Sequence, residues 1–181
     1  MPHLLELQAC LGHVDAEESK AAIDSIAKIF TQSPCSLDKL TICGKPQATD
    51  AAKLLEITPN ISILHLSIED RNYRDPILAR LVCQRVDRQC LLSNLRILNF
   101  DTIYPSDLWA IIDVVRSRLP KSTKNEISVI SGSHCKRLTT ISLWYKCSGW
   151  DEDLHLIGIL KGWQDLGLLR LNSNWLNKPQ R

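Results

Sequence analysis

The sequence predicts an α/β solenoid with a parallel sheet on one side and helices on the other, and three observations carry that expectation. A short apolar pattern recurs six times along the chain. Helix signals fill the intervals between copies. The residues that alternate with the apolar ones are polar along a whole column. With 181 residues, the chain is long enough for one ordinary domain and a sizeable core. We expect residues 1–181 to form a single domain of about six irregular repeats. The predicted core is aliphatic: 28 Leu and 18 Ile stand against 2 Phe and 1 Met, a bias that suits stacked repeats.

The recurring pattern is apolar, two residues, apolar, one residue, apolar. Its copies are Leu4 to Ala9, Leu37 to Ile42, Ile61 to Leu66, Leu95 to Phe100, Leu138 to Leu143 and Leu166 to Leu171. Successive starts lie 33, 24, 34, 43 and 28 residues apart. One copy means little in a Leu-rich chain, but six at near-even spacing signal repeats. Apolar–polar alternation at the end of each copy is the period of a strand with one buried face. A doubly wound sheet would bury both strand faces and show near-continuous apolar runs. Here the central outward column reads Gln8, Thr41, His65, Asn99, Ser142 and Arg170, so the outward face is open and the solenoid is preferred. The flanking outward columns are Glu6, Lys39, Ile63, Ile97, Thr140, Leu168 and Cys10, Cys43, Ser67, Asp101, Trp144, Asn172.

Each interval carries helix signals. Asp15 with Glu18 three residues on forms a capping box before Ala22, Ile23, Ile26, Ala27 and Phe30. Thr49 is the expected cap of a helix holding Ala52, Leu54 and Leu55, which Pro59 stops. Asp75-Pro76 reads as a cap with proline at the first helical position, leading into Ile77, Leu78, Leu81, Val82 and Val86. Pro105 or Ser106 opens Leu108, Trp109, Ile111, Ile112 and Val115, and Asp151 opens Leu154, Ile157 and Leu160. The 43-residue interval exceeds strand plus helix, so residues 121–136 are expected to form an insertion loop, with a short strand around Ile127 to Ile130.

Composition removes several classes of function. Net charge is +2, from 22 basic and 20 acidic residues, too balanced to imply nucleic acid or an anionic membrane. The apolar stretches from Leu108 to Val115 and Leu154 to Leu160 are far shorter than the ~20 residues a bilayer span needs. The start, Met1-Pro2-His3-Leu4-Leu5-Glu6, has the marks of no signal peptide. Seven Cys without any C-x-x-C disfavour a disulfide framework or structural zinc, and point to a reducing, intracellular setting, cytoplasmic or nuclear. Asn60-Ile61-Ser62 is formally a glycosylation sequon, read as unused because nothing else suggests secretion. No H-E-x-x-H, Gly-x-Gly or complete P-loop occurs, so no metal, cofactor or catalytic residue is expected, and an enzyme is disfavoured. His134-Cys135 reads as part of a polar loop. Cys10 and Cys43, at equivalent positions, read as two unlinked thiols, with a shared metal as the alternative. Arg71, Arg74, Arg80, Arg85, Arg88 and Arg96, interleaved with Asp70, Asp75 and Asp87, read as a solvated helix face.

The recurring L-x-x-L-x-L followed by a helix resembles the leucine-rich repeat. Pro59-Asn60-Ile61-Ser62-Ile63-Leu64-His65-Leu66 is similar to the strand start common in F-box proteins with such repeats, and Ser33 to Leu40 resembles their S-x-C-P-L-x-x-L segment with the proline displaced. Asp107 to Arg118 resembles the L-L-D-M-I-x-S-R helix of mushroom-type fungal members, and Asp151 to Leu168 their closing helix and strand. The resemblance spans nearly the whole chain as a pattern. It implies a right-handed solenoid with a curved parallel sheet on the concave side and helices on the convex side. Two departures stand out. The Asn or Cys that usually turns each repeat is replaced by Gly12, Lys45, Glu69, Ile103 and Lys146, and only Asn174 fits. The F-box with its Leu-Pro signature is not recognisable: Leu119-Pro120 sits mid-chain. The first strand begins almost at Met1, without the cap that solenoids need at exposed ends, so an N-terminally truncated chain is expected.

The resemblance implies a protein-interaction domain, the substrate-recognition part of an F-box ubiquitin-ligase receptor, whose ligase adaptor subunit would bind only if an F-box lies upstream. The alternative is a leucine-rich-repeat scaffold with no ligase link. On either view a protein partner is expected on the concave sheet, with no cofactor, nucleic acid or membrane. The candidate contacts are Ile63, His65, Ile97, Asn99, Asp101, Ser142, Trp144 and Arg170. Ile63 and Ile97 would form an adjoining apolar pair on a polar face, and Trp and Arg dominate binding energy at interfaces.

Overall fold

A computed structural model describes residues 3–11, 16–32, 36–83, 90–103, 107–119, 135–145 and 152–173. Strands and helices alternate: β1 (His3–Leu11), α1 (Ala16–Gln32), β2 (Ser36–Gly44), α2 (Ala48–Ile57), β3 (Ile63–Ser67), α3 (Arg71–Leu81), β4 (Ile97–Ile103), α4 (Leu108–Arg118), β5 (Thr140–Tyr145), α5 (Glu152–Asp165) and β6 (Arg170–Ser173). The six strands make one sheet in chain order, and every neighbouring pair is parallel. Consecutive helices pack on one another. One strand and one helix per step is the advance of a solenoid-like α/β fold.

The core lies between the sheet's inward face and this helical layer. Leu40, Ile42, Leu64, Leu66, Leu98, Phe100, Ile141 and Leu143, the expected inward residues, are all at most 1% exposed. Ile23, Leu54, Leu55, Ile77, Leu78, Ile111, Ile112, Val115 and Leu160 meet them from the helices in one continuous cluster. Strand starts are also tied across repeats: Ser62 N–H donates to Asp38 C=O (2.9 Å), Arg96 N–H to Ser62 C=O (2.8 Å) and Thr139 N–H to Arg96 C=O (2.8 Å). At the β2 end, Gly44 has φ +90°, and a Cβ there would stand 2.0 Å from Leu11 C=O. That carbonyl accepts from Lys45 N–H at 2.7 Å, so the close approach requires glycine.

Several helix expectations need correction. Helix α3 starts at Arg71, one turn before Asp75-Pro76; Asp70 is its cap, accepting from Asn72 N–H at 2.9 Å. Pro76 sits in the second turn of the helix, where it removes one backbone donor without ending the helix. Helix α2 starts at Ala48 rather than behind a Thr49 cap. Thr58 at its C-cap returns its hydroxyl to Leu54 C=O (2.7 Å). Trp109, placed on the core face of α4 by its spacing, is 53% exposed, and Val114 is buried instead. Residues 120–134 and the caps expected at Asp15, Pro105, Ser106 and Asp151 lie outside the described residues.

The arginine-rich stretch also departs from a solvated face. Arg74 and Asp107 are both fully buried and form an ion pair that ties α3 to the start of α4. Arg74 Nη1 also donates to Ile68 C=O at 2.9 Å. Arg71, by contrast, lies in water beside Asp75 (3.6 Å). Two measurements check this packing. Leu98→Ala should lower unfolding free energy in urea by about 2–5 kcal/mol. Asp107→Ala should cost about 3–5 kcal/mol by leaving a buried cation without its partner, whereas Arg74→Met combined with Asp107→Leu should cost less than Asp107→Ala alone.

Candidate functional site

The open face of the sheet is built by register. Lys39, Ile63, Ile97 and Thr140 stand in one rung, and Gln8, Thr41, His65, Asn99 and Ser142 in the next. Through β5 these are the columns expected from the sequence. In β6 the register moves by two residues: Arg170 stands opposite Thr140 and Asn172 opposite Ser142. Arg170 therefore belongs to the first column, Leu168 drops out, and Asn172 takes the central place with its Nδ2 donating to Ser142 Oγ at 3.4 Å. The cause lies at the end of α5. Gly167 adopts φ +65°, and Gly167 N–H and Leu168 N–H donate to Gln164 and Trp163 C=O at 2.9 and 2.8 Å, the Schellman turn. That turn consumes Leu166, which is 72% exposed. A slip of two keeps Leu169 and Leu171 inward, because side chains alternate with period two.

At the middle of the face, Ile63 and Ile97 are neighbours, each half-buried. Beside them His65 Nε2 and Asp101 Oδ1 lie 2.6 Å apart, with 24% and 50% of their side chains exposed. Asp101 is two residues beyond His65's partner Asn99, the diagonal reach of neighbouring strands. Partial burial disfavours the Asp101 carboxylate. Hydrogen bonds from Ser67 and His65, with the charge of protonated His65, outweigh it and hold the pKa below the ordinary value. Asn99 Oδ1 is buried with no hydrogen-bond partner among the described residues. Asn99 thus offers an unused acceptor between His65 and Ser142. At the sheet's first edge Lys39 Nζ pairs with Glu6 Oε1 at 2.7 Å; a hydrogen bond from Lys39 holds the Glu6 carboxyl below its usual range.

The structure brings together Ile63, His65, Ile97, Asn99, Asp101 and Ser142, and carries Arg170 to the first column. Trp144 lies in β5, but its side chain is outside the described residues. The β4–β5 register shifts between Phe100 and Ile103, so Asp101 has no straight partner at Trp144. A bulge of this kind changes the aim of nearby side chains.

Cysteines supply what spacing missed. Cys10 and Cys43 are register partners with Cα atoms 4.6 Å apart and are joined as a disulfide between β1 and β2. The expectation of two unlinked thiols is therefore corrected; in-register parallel strands place equivalent outward residues side by side. Cysteine usage then no longer argues for a reducing compartment. Cys83, Cys90 and Cys135 converge as well, their Sγ atoms all within 4.8 Å of one another. No spacing motif joins them, because only the turn of one repeat onto the next brings Cys135 back to the loop that carries the other two. No helix among the described residues is long and apolar enough to cross a membrane. Comparison of the chain with protein-family models, with curated proteins and with solved structures finds no match in any of the three.

The Asp101 pairing has a measurable signature. Folding favours the charged carboxylate, so its contribution to stability is present above the ordinary Asp pKa and is lost as pH falls through its own lowered value. In a carboxyl-carbon NMR titration, Asp101 should show a midpoint below the ordinary Asp value, and His65→Ala should move that midpoint upward.

Proposed function

We propose that this chain is a leucine-rich-repeat protein-recognition module that binds its partner on the open face of the sheet. The observation that carries the reading is the half-buried pair Ile63 and Ile97 set beside the His65–Asp101 pair. An apolar pair rimmed by orienting polar groups is the anatomy of an interface centre. A partner side chain or strand laid across the sheet would cover the isoleucines and meet the His65–Asp101 pair beside them. Arg170, exposed on β6, would lie at the rim. The repeat pattern and its resemblance to fungal F-box proteins extend the reading: within a longer chain, this module would present substrates to a cullin-type ubiquitin ligase.

Site-specific photo-crosslinking tests the face. A crosslinker at Ile97 should capture a discrete partner that one at Ala79, exposed on α3, does not, and Ile63→Glu should abolish that capture while circular dichroism stays unchanged. Capture only from Ala79 would move the site to the helices. With the partner in hand, Arg170→Ala or Trp144→Ala should weaken binding by about 1–3 kcal/mol without loss of folding. The ligase part has its own test: the coding sequence immediately upstream should encode an F-box, and the product should co-purify with the ligase adaptor. If neither holds, a recognition scaffold without a ligase link remains.

A further inference from the structure

Cys83 follows the end of α3, Cys90 precedes the turn into β4, and Cys135 precedes β5, so three chain segments from two repeats meet at one point. All three residues are half-buried. Cys83 Sγ and Cys135 Sγ are 3.3 Å apart, and Cys90 Sγ touches both. A sulfur forms only one disulfide bond, so these contacts cannot all be disulfides and one thiol is always left over.

The surroundings hold each cysteine firmly. Cys83 N–H donates to Ser117 Oγ at 3.1 Å, and that hydroxyl donates to Val114 C=O at 2.7 Å. Lys136 N–H, next to Cys135, donates to Ser93 C=O at 2.6 Å. Arg118, 5% exposed, ties the end of α3 to the turn before β4: its Nη2 donates to Leu81 C=O (3.2 Å) and Leu91 C=O (2.8 Å), and its Nη1 to Leu92 C=O (3.1 Å). Leu92 itself is held at φ 56°, a conformation that β-carbon residues adopt at a cost and that concentrates at functional sites. Burial pulls the Arg118 guanidinium down to about 10, which still leaves it charged at neutral pH. Its contacts are carbonyls, and among the described residues it pairs with no carboxylate.

We propose that Cys83, Cys90 and Cys135 form a three-thiolate site for zinc(II). Three thiolates and one zinc ion carry a net charge of −1, and Arg118, bound to the carbonyls of Leu91 and Leu92 next to Cys90, supplies a positive charge on the same segment. Thiolate sulfur is the ligand that zinc selects. Zn–S bonds of about 2.3 Å put tetrahedral sulfurs about 3.8 Å apart; Cys83 and Cys135 Sγ stand at 3.3 Å, so the trio must open to seat the ion. Loading releases one proton from each thiol and changes no oxidation state; any disulfide within the trio must first be reduced by a thiol or phosphine. Among the described residues no fourth ligand joins the three, so the fourth position falls to water or an incoming ligand. Bound zinc would staple the loop after α3 to the start of β5, where the longest repeat returns to the sheet.

Metal binding by the whole chain tests this. Protein reduced with a phosphine and stripped with a chelator should take up one cobalt(II) ion. It should show the sulfur-to-cobalt charge-transfer band and the intense visible bands of a tetrahedral site, both abolished by one equivalent of zinc(II). Cys83→Ser, Cys90→Ser and Cys135→Ser should each weaken zinc binding at least 10-fold against a chromophoric chelator, while Cys10→Ser leaves it unchanged. Should those variants fail to fold, X-ray absorption of the zinc-loaded natural chain still decides: three sulfurs at about 2.3 Å support the site. Absence of the charge-transfer band, affinity unchanged in all three variants, or fewer than three sulfurs around zinc would overturn it.

Discussion

The strands of this sheet carry their apolar side chains mainly on one face, Ile63 and Ile97 on the other being the exception, and the apolar face leaves water only beneath the helix that returns the chain to the next strand. Parallel strands need such crossovers, and here the crossovers stay with one face. The consequence is cumulative. Leu40, Leu64, Leu98 and Ile141 stand in one rung and are completely buried, so each repeat completes the core of the one before it. The same constraint leaves the other face without a covering helix among the described residues, and Gln8, His65, Asn99 and Ser142 line it.

Irregular repeats pose a second problem: the loops between strands and helices expose carbonyls that a regular ladder of Asn side chains would satisfy. Arginines fill that role. Arg74 donates to Ile68 C=O, Arg118 to the carbonyls of Leu81, Leu91 and Leu92, and Arg137 to those of Leu168 and Gly167 at 2.8 Å each. A guanidinium has five donors in a rigid fork and reaches several carbonyls at once. Burying Arg74 requires an offsetting charge, which Asp107 supplies. Helix α4 is therefore tied to the preceding repeat at both ends, by its N-cap Asp107 and its last residue Arg118.

The open face and the cysteine cluster sit on opposite demands of the same architecture. The face needs rigid strands with unspent polar groups, and Asn99 Oδ1 is such a group. The cluster needs loops from different repeats to meet and stay fixed. A metal staple beside the long fourth repeat would hold the sheet edge from which β5 and β6 extend, and so would steady the face on which Arg170 is displayed.

The order of strands and helices, their parallel pairing and the inward leucine columns were legible in the sequence, because a period of two on strands and of 3.6 on helices follows from backbone geometry alone. The first two outward columns through β5 follow from the same period, whereas the third breaks at the β4–β5 register shift beyond Phe100. The shift of β6 was not legible, since slips of two residues preserve inside and outside equally well, and the Schellman turn at Gly167 chose between them. Nor was the burial of Arg74: its neighbours Asp70 and Asp75 lie close in sequence, whereas Asp107, its partner, lies a repeat away. The thiol contacts belong to the same class. The repeat pattern placed Cys10 and Cys43 at equivalent positions but not their bond, and the meeting of Cys135 with Cys83 and Cys90 across stacked repeats left no trace in the sequence until the tertiary structure brought them together.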